Sequence, residues 1–204
     1  MIKYLPVLLV VGAGTLCAQS GEFWVNGGGS ILLNSNIGTP VPGGNSNAVK
    51  LDDGFRVGIR FDYNTEGHVG HEFQYAYNRS RLSDSTGIIL PQPESEGMAI
   101  HQVGYNVLYY LKPGKEEEKV RPFFTGGVHL DSFSTPVDAT PRGGSARVGF
   151  NYGGGIKYRL SNLFAFRFDI RGYDTGKPNW RDVLHNQGGV LQQFETSVGV
   201  GVNF

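Results

Sequence analysis

The sequence predicts an all-β protein, an eight-stranded antiparallel up-and-down transmembrane β-barrel behind an N-terminal signal peptide. Three observations carry that expectation. Apolar and polar side chains alternate with a period of two along eight segments. The connections between those segments take turns at being long and short. After the first twenty residues no apolar run reaches the ~20 residues of a spanning helix, while Gly (31 of 204 residues) and aromatics (12%) are abundant, as on a lipid-facing barrel.

Residues 1–18, MIKYLPVLLVVGAGTLCA, read as a secretory signal peptide. Lys3 supplies the positive start, Leu5 to Val11 the apolar run, and Ala13, Gly14, Cys17 and Ala18 the small-residue end. Cleavage after Ala18 leaves residues 19–204 as the barrel domain. A membrane anchor is the alternative, but the run is short for a span. Lipidation at Cys17 is opposed by bulky Leu16 directly before it. Cys17 is the chain's one cysteine, so the processed chain holds none. That fits an oxidising compartment entered without disulfides.

The strands follow in order. The first is Gly21–Leu33, whose register is weakly marked because Gly27 to Gly29 carry no side-chain signal. The second, Gly54–Tyr63, is the cleanest: Phe55, Val57, Ile59, Phe61 and Tyr63 share one face, and Arg56, Gly58, Arg60 and Asp62 the other. A helix would scatter these sets, whereas a strand sorts them into two faces. The third is Val69–Arg79. The fourth, Met98–Leu111, is ambiguous where LYYL puts apolar groups on both faces. The fifth is Val120–Leu130 and the sixth Arg147–Leu160. The seventh, Leu163–Tyr173, repeats the device, with Phe164, Phe166, Phe168 and Ile170 opposed to Ala165, Arg167, Asp169 and Arg171. The eighth is Val190–Phe204. Each spanning part is expected to run about 9–11 residues, the reach of a tilted strand across a bilayer.

Long polar connections are expected at Asn34–Asp53, Ser80–Gly97, Asp131–Ala146 and Asp174–Gly189. Short ones fall at Asn64–Gly67, at Lys112-Pro113-Gly114 with the charge run to Lys119, and at Ser161-Asn162. This alternation is that of a barrel with extracellular loops and periplasmic turns, with both chain ends on the periplasmic side.

Unpaired backbone groups in hydrocarbon cost several kcal/mol each, so the eighth strand must pair with the first. The apolar parity then faces lipid. The polar parity places Arg56, Arg60, Asp62, Glu72, Arg121, Asp131, Lys157, Arg159, Arg167, Asp169, Arg171 and Glu195 in the lumen, where both signs can pair. Such pairs must offset a desolvation penalty. Eight strands leave a lumen that side chains can fill, which opposes a general-diffusion pore. Glycines at 126–127, 153–155, 199 and 201 permit the curvature of a small barrel. Aromatic girdles are expected from Phe23, Tyr63, Tyr109, Tyr158, Phe164 and Phe204 at the periplasmic ends. Phe55, Tyr75, Tyr77, Phe150, Tyr173 and Phe194 are expected toward the outside. A soluble barrel with its apolar face inward is the competing architecture; the signal peptide, the Gly content and the chain end favour the membrane.

Other classes fall away. Lys+Arg and Asp+Glu are equal at 18 each, so no basic footprint for nucleic acid exists. NYGGGIKY (151–158) has no following helix or Lys-Ser/Thr and is not a phosphate loop. No residue spacing suggests a metal site or any other cofactor. Of the five histidines, His68 lies beside a turn, His71 and His101 face outward, and His185 is in a loop. His129 faces inward near Asp131 and Ser132, a trio that could be a base, its orienting carboxylate and a nucleophile. On a continuing strand, however, Asp131 and Ser132 point oppositely, so no catalytic residue is assigned.

The chain ends SVGVGVNF. Ser197, Gly199, Val202 and Phe204, spaced polar-x-Gly-x-x-apolar-x-Phe, look like the terminal signal read by the barrel-assembly machinery. Together with RPFFTGGVHL (121–130), FNYGGGIKYRLS (150–161) and Arg167-x-Asp169-x-Arg171, they make the chain resemble the small OmpA/OmpX-like outer-membrane β-barrel family, often called the outer membrane protein beta-barrel domain, over about Gly21 to Phe204. The resemblance implies a Gram-negative-type outer membrane, with its lipid and lipopolysaccharide as surroundings. Unlike full-length OmpA, no peptidoglycan-binding domain is expected after the eighth strand. The expected role is structural or surface-interactive, without chemistry, through four loops whose ligands the residues do not name. A narrow channel for ions or small solutes is the alternative, and a lipid A-modifying enzyme the third.

Overall fold

The computed structural model describes residues 20–65, 67–90, 95–113, 118–136, 144–180, 184–185 and 188–204. The expected signal peptide, residues 1–18, lies outside them, as do Glu66 of the first turn and residues 114–117 of the charge run. Eight long strands form the wall: β1 (Ser20–Leu33), β3 (Val49–Asn64), β4 (Val69–Asp84), β5 (Ser95–Tyr110), β6 (Val120–Ser134), β7 (Gly144–Arg159), β8 (Phe164–Gly176) and β9 (Val190–Asn203). A three-residue strand, β2 (Asn36–Gly38), is added inside the first long connection and pairs with β3.

Neighbouring long strands pair antiparallel in chain order, and β1 pairs with both β3 and β9. The sheet therefore closes on itself. At the seam Gly21 and Phe204 exchange both backbone hydrogen bonds, each at 2.9 Å, and the Phe204 ring lies 6.2 Å from that of Phe61. Closure satisfies the two edges that hydrocarbon would not tolerate.

Burial alternates residue by residue along the wall. Phe164, Phe166, Phe168 and Ile170 of β8 are exposed, while Ala165, Arg167, Asp169 and Arg171 are buried. Along the middle of the wall an apolar column stands outside on every long strand, such as Phe55, Val57, Ile59 and Phe61 of β3, as a lipid-facing surface requires. Polar groups on that outer face are matched to one another: His71 shares a 2.6 Å hydrogen bond with the Tyr105 hydroxyl, and Tyr75 one of 2.8 Å with His101.

Two expectations need correction. Tyr173 is not in the outer girdle. It lies on the inward parity with Arg171 and is fully buried. The strands also run 13–16 residues, so the wall rises into what reads as loop sequence at Val49–Asp53, Ser80–Asp84, Ser95–Gly97, Asp131–Ser134 and Gly144–Ala146. One cause is a β-bulge. β3 carries an extra residue between Asp52 and Phe55 relative to β4, which reverses its parity. Below the bulge odd-numbered residues face out; above it Leu51 and Val49 turn in and are buried.

Candidate functional site

The inward face has two layers. The lower one, toward the short turns, is ionic. Arg56 and Arg60 come from β3, Lys157 from β7, and Arg167 and Arg171 from β8. Facing them are Glu22 of β1, Asp62 of β3, Glu72 of β4, Asp169 of β8 and Glu195 of β9. All ten are buried, five cations against five anions, so the layer is formally neutral.

Most of the pairs join different strands, and two link Asp169 to the arginines on either side of it in β8. Arg60 bridges Asp169 (2.8 Å) and Glu195 (2.7 Å). Arg167 contacts Asp62 (2.8 Å), Glu72 (2.6 Å) and Asp169 (2.7 Å). Arg171 holds Glu72 and Asp169 at 2.6 and 3.0 Å. Lys157 pairs with Glu22 and, at 2.6 Å, with Asp62, and Arg56 lies 3.1 Å from Glu195. Neutral groups complete the network. Asn106 donates to Glu72 at 2.7 Å, Gln102 to Asp131 at 2.7 Å, Tyr173 to Glu195 at 2.7 Å, and Trp24 to Glu22 at 3.0 Å. Delocalised guanidinium forks suit such multiple pairing. Removing one partner would strand a buried charge, which is far costlier than the net worth of the pair.

Arg121, also expected in the lumen, is buried and stacks on the Tyr110 ring at 3.9 Å. Arg159 ends β7 at the short-turn rim and is half-buried rather than enclosed. Trp24, Tyr110, Gln102 and Asn106 are network members that the charge pattern does not mark. Their inward parity on β1 and β5 was the available signal, masked by the Gly27–Gly29 run and by the LYYL ambiguity. Glycine makes room for the largest of them. A Cβ on Gly201 would sit 2.5 Å from the Trp24 ring.

The upper layer, toward the long connections, is apolar, and the strand alternation does not mark it. Leu32, Leu51, Leu82, Ile100, Phe133 and Leu191 turn inward from the wall. Ile37, Ile89, Leu90, Trp180 and Leu184 meet them from the connections. A backbone bridge between Thr39 and His185, with N–H to carbonyl distances of 3.1 and 2.7 Å, pins the first connection to the fourth over the mouth. Asp84, at the top of β4 and beyond the lipid-facing band, folds its connection inward. It accepts from the Thr86 N–H and hydroxyl at 2.8 and 2.6 Å and from the Ile89 and Leu90 N–H groups at 2.8 and 3.2 Å. Burial pushes its carboxyl up, but these hydrogen bonds outweigh that and hold it below the ordinary carboxylate range.

His129 is buried, 3.5 Å from Asp131 and edge-on to Tyr173. Ser132 stands on the exposed outer face of the continuing strand, so the trio is not assembled. At the chain end Ser197 and Gly199 face the lumen, whereas Val202 and Phe204 lie on the outward parity, Phe204 exposed.

A closed eight-strand wall with paired charges inside and an apolar outer band is the geometry of an outer-membrane barrel, and the family model of the outer membrane protein beta-barrel domain matches residues 6–204. The chain belongs to that family. The solved structures similar to this outer membrane beta-barrel domain include Neisserial surface protein A, at 16% identity over 90% of this chain and 97% of that one, with a TM-score of 0.60. OprG of Pseudomonas aeruginosa is 16% identical over 90% and 96% of the two chains, with a TM-score of 0.56. AlkL, solved in lipid bilayers, is 15% identical over 100% and 97%, with a TM-score of 0.55. At such identities the likeness is one of fold. No curated protein matches the chain. Family membership places the protein in an outer membrane.

Proposed function

We propose that this outer-membrane barrel is a non-conducting scaffold whose role is to sit in the membrane and present its long connections at the cell surface. The carrying observation is that the lumen holds two buried layers, the neutral ionic one and the apolar one above it, which together oppose an open path. An ion would have to separate tightly paired charges and then cross a packed apolar cluster. On this reading residues 1–18 direct export from a Gram-negative-type cell and are removed after Ala18. Ser197, Gly199, Val202 and Phe204 present the strand that the assembly machinery engages. The alternative of a narrow channel is disfavoured by these two layers, and that of a lipid A-modifying enzyme by the outward Ser132. Purified barrel in planar bilayers is expected to give no steady conductance; a reproducible open level would overturn the proposal.

A further inference from the structure

The groove on the outer wall beside the β3 bulge has a chemistry that neither lumen layer explains. It is about 1140 Å³ and lies across the upper ends of β3, β4 and β5, with Leu32 of β1 and Ser35 of the first connection on its other side. Three cations line it: Lys50 of β3 and Arg79 and Arg81 of β4, all exposed. Its two carboxylates are engaged. Asp52 pairs with Lys50 at 3.3 Å and accepts from the Ser83 hydroxyl, and Asp53 accepts the Leu32 N–H at 2.7 Å. No carboxylate among the described residues pairs with Arg79 or Arg81. The Arg79 guanidinium is laid flat across β5, where Gly97, the cross-strand partner of Arg81, leaves it space. A Cβ on Gly97 would fall 2.0 Å from its Nη2. Arg79 and Arg81 thus share the outward column of β4, and neither has a carboxylate partner among the described residues.

Height defines what could fill the groove. The outward column of β4 runs Val69, His71, Phe73, Tyr75, Tyr77, then Arg79 and Arg81. Outward residues recur about every 7 Å along a strand, so the first arginine stands one such step above the last aromatic of the lipid-facing band. Exposed Phe55 forms the lower edge of the groove. An anion arriving here is delivered most readily on a molecule whose acyl chains lie against the column below. We propose that Lys50, Arg79 and Arg81 form a lipid-phosphate site on the outer wall, taking a phosphate of the phosphorylated glycolipid that fills the outer leaflet. Bidentate arginine forks match phosphate oxygens. The proposal rests on the long-connection end facing outward, as the scaffold reading has it.

The test uses the full-length processed barrel in phosphatidylcholine vesicles carrying bisphosphorylated lipid A, dephosphorylated lipid A or neither, with the fraction of lipid bound per barrel as readout. The intact protein is expected to bind the bisphosphorylated form about tenfold more tightly than the dephosphorylated form, and Arg79→Gln with Arg81→Gln to remove that preference. Arg79→Lys with Arg81→Lys should retain most of it and serves if the glutamine variant does not fold, as judged by its heat-dependent shift on gels. Equal binding of the two lipids, an unchanged glutamine variant, or displacement of lipid A by inorganic phosphate would each overturn the site. Asn45→Cys labelling in intact cells examines the orientation separately: failure to label with lipid preference intact overturns the outward placement alone.

Discussion

Arg171 of β8 grips Glu72 of β4 through both terminal nitrogens, at 2.6 and 3.0 Å, across the barrel lumen and 99 residues of chain. Neither side chain has measurable exposure. The same carboxylate is held by Arg167 at 2.6 Å, so Glu72 is a node shared by two buried cations, with Asp169 paired to both as well.

Glu72→Ala should therefore be severe, about 3–5 kcal/mol, because it leaves both arginines with less counter-charge in a site closed to water. Urea unfolding of the refolded barrel in detergent measures it. The double variant Glu72→Leu with Arg171→Met is expected to be more stable than either single variant, since it removes both charges together.

The apolar layer makes a different prediction. Leu51→Ala should cost about 2–5 kcal/mol and speed proteolysis of the connections, yet leave planar-bilayer conductance at zero, because the ionic layer below is untouched. Proteolysis and bilayer recording on one preparation separate the two layers.

Gly201→Val drives a side chain into the space of the Trp24 indole. Overpacking of this kind is expected to cost about 1–3 kcal/mol. Because the residue lies on β9 at the seam, the loss should appear as a lower temperature for the heat-dependent gel shift, with altered Trp emission.

Asp84 predicts a pH dependence. Its folded pKa is below the ordinary value, so its contribution is present above the unfolded pKa of about 3.9 and is lost as pH falls through the lower folded value. The protection factors of the Ile89 and Leu90 amides, measured against their intrinsic exchange at each pH, should fall on acidification below about pH 4. Asp84→Asn should show faster exchange already at neutral pH.

Much of the barrel is legible in the sequence because a wall between lipid and a charged interior leaves a period of two wherever the strand is regular. FRVGIRFDY and FAFRFDIR identify their inward residues without a structure. Legibility fails where geometry departs from that period. The β3 bulge reverses parity at Asp53, so Leu51 and Val49 read as loop residues although they build the upper layer. Trp180, Leu184 and Ile89 reach that layer from connections, whose folding depends on long-range contacts such as Thr39 with His185. The aromatic character of Tyr173 suggests a girdle, but its parity with Arg171 points it inward, where it is buried. The groove proposed to take a lipid phosphate depends on Gly97 lying against Arg79, a cross-strand relation invisible along either strand alone.

The sorting of side chains between lipid and lumen is tested most directly by magnetisation transfer from acyl-chain protons, using solid-state NMR on the unmodified barrel in bilayers. The ring carbons of Phe166 and Phe168 and the methyls of Ile170 should receive lipid magnetisation. The guanidinium nitrogens of Arg167 and Arg171 should receive none and correlate instead with the carboxylates of Glu72 and Asp169. Lipid contact at those nitrogens, with the phenylalanine rings silent, would contradict the account.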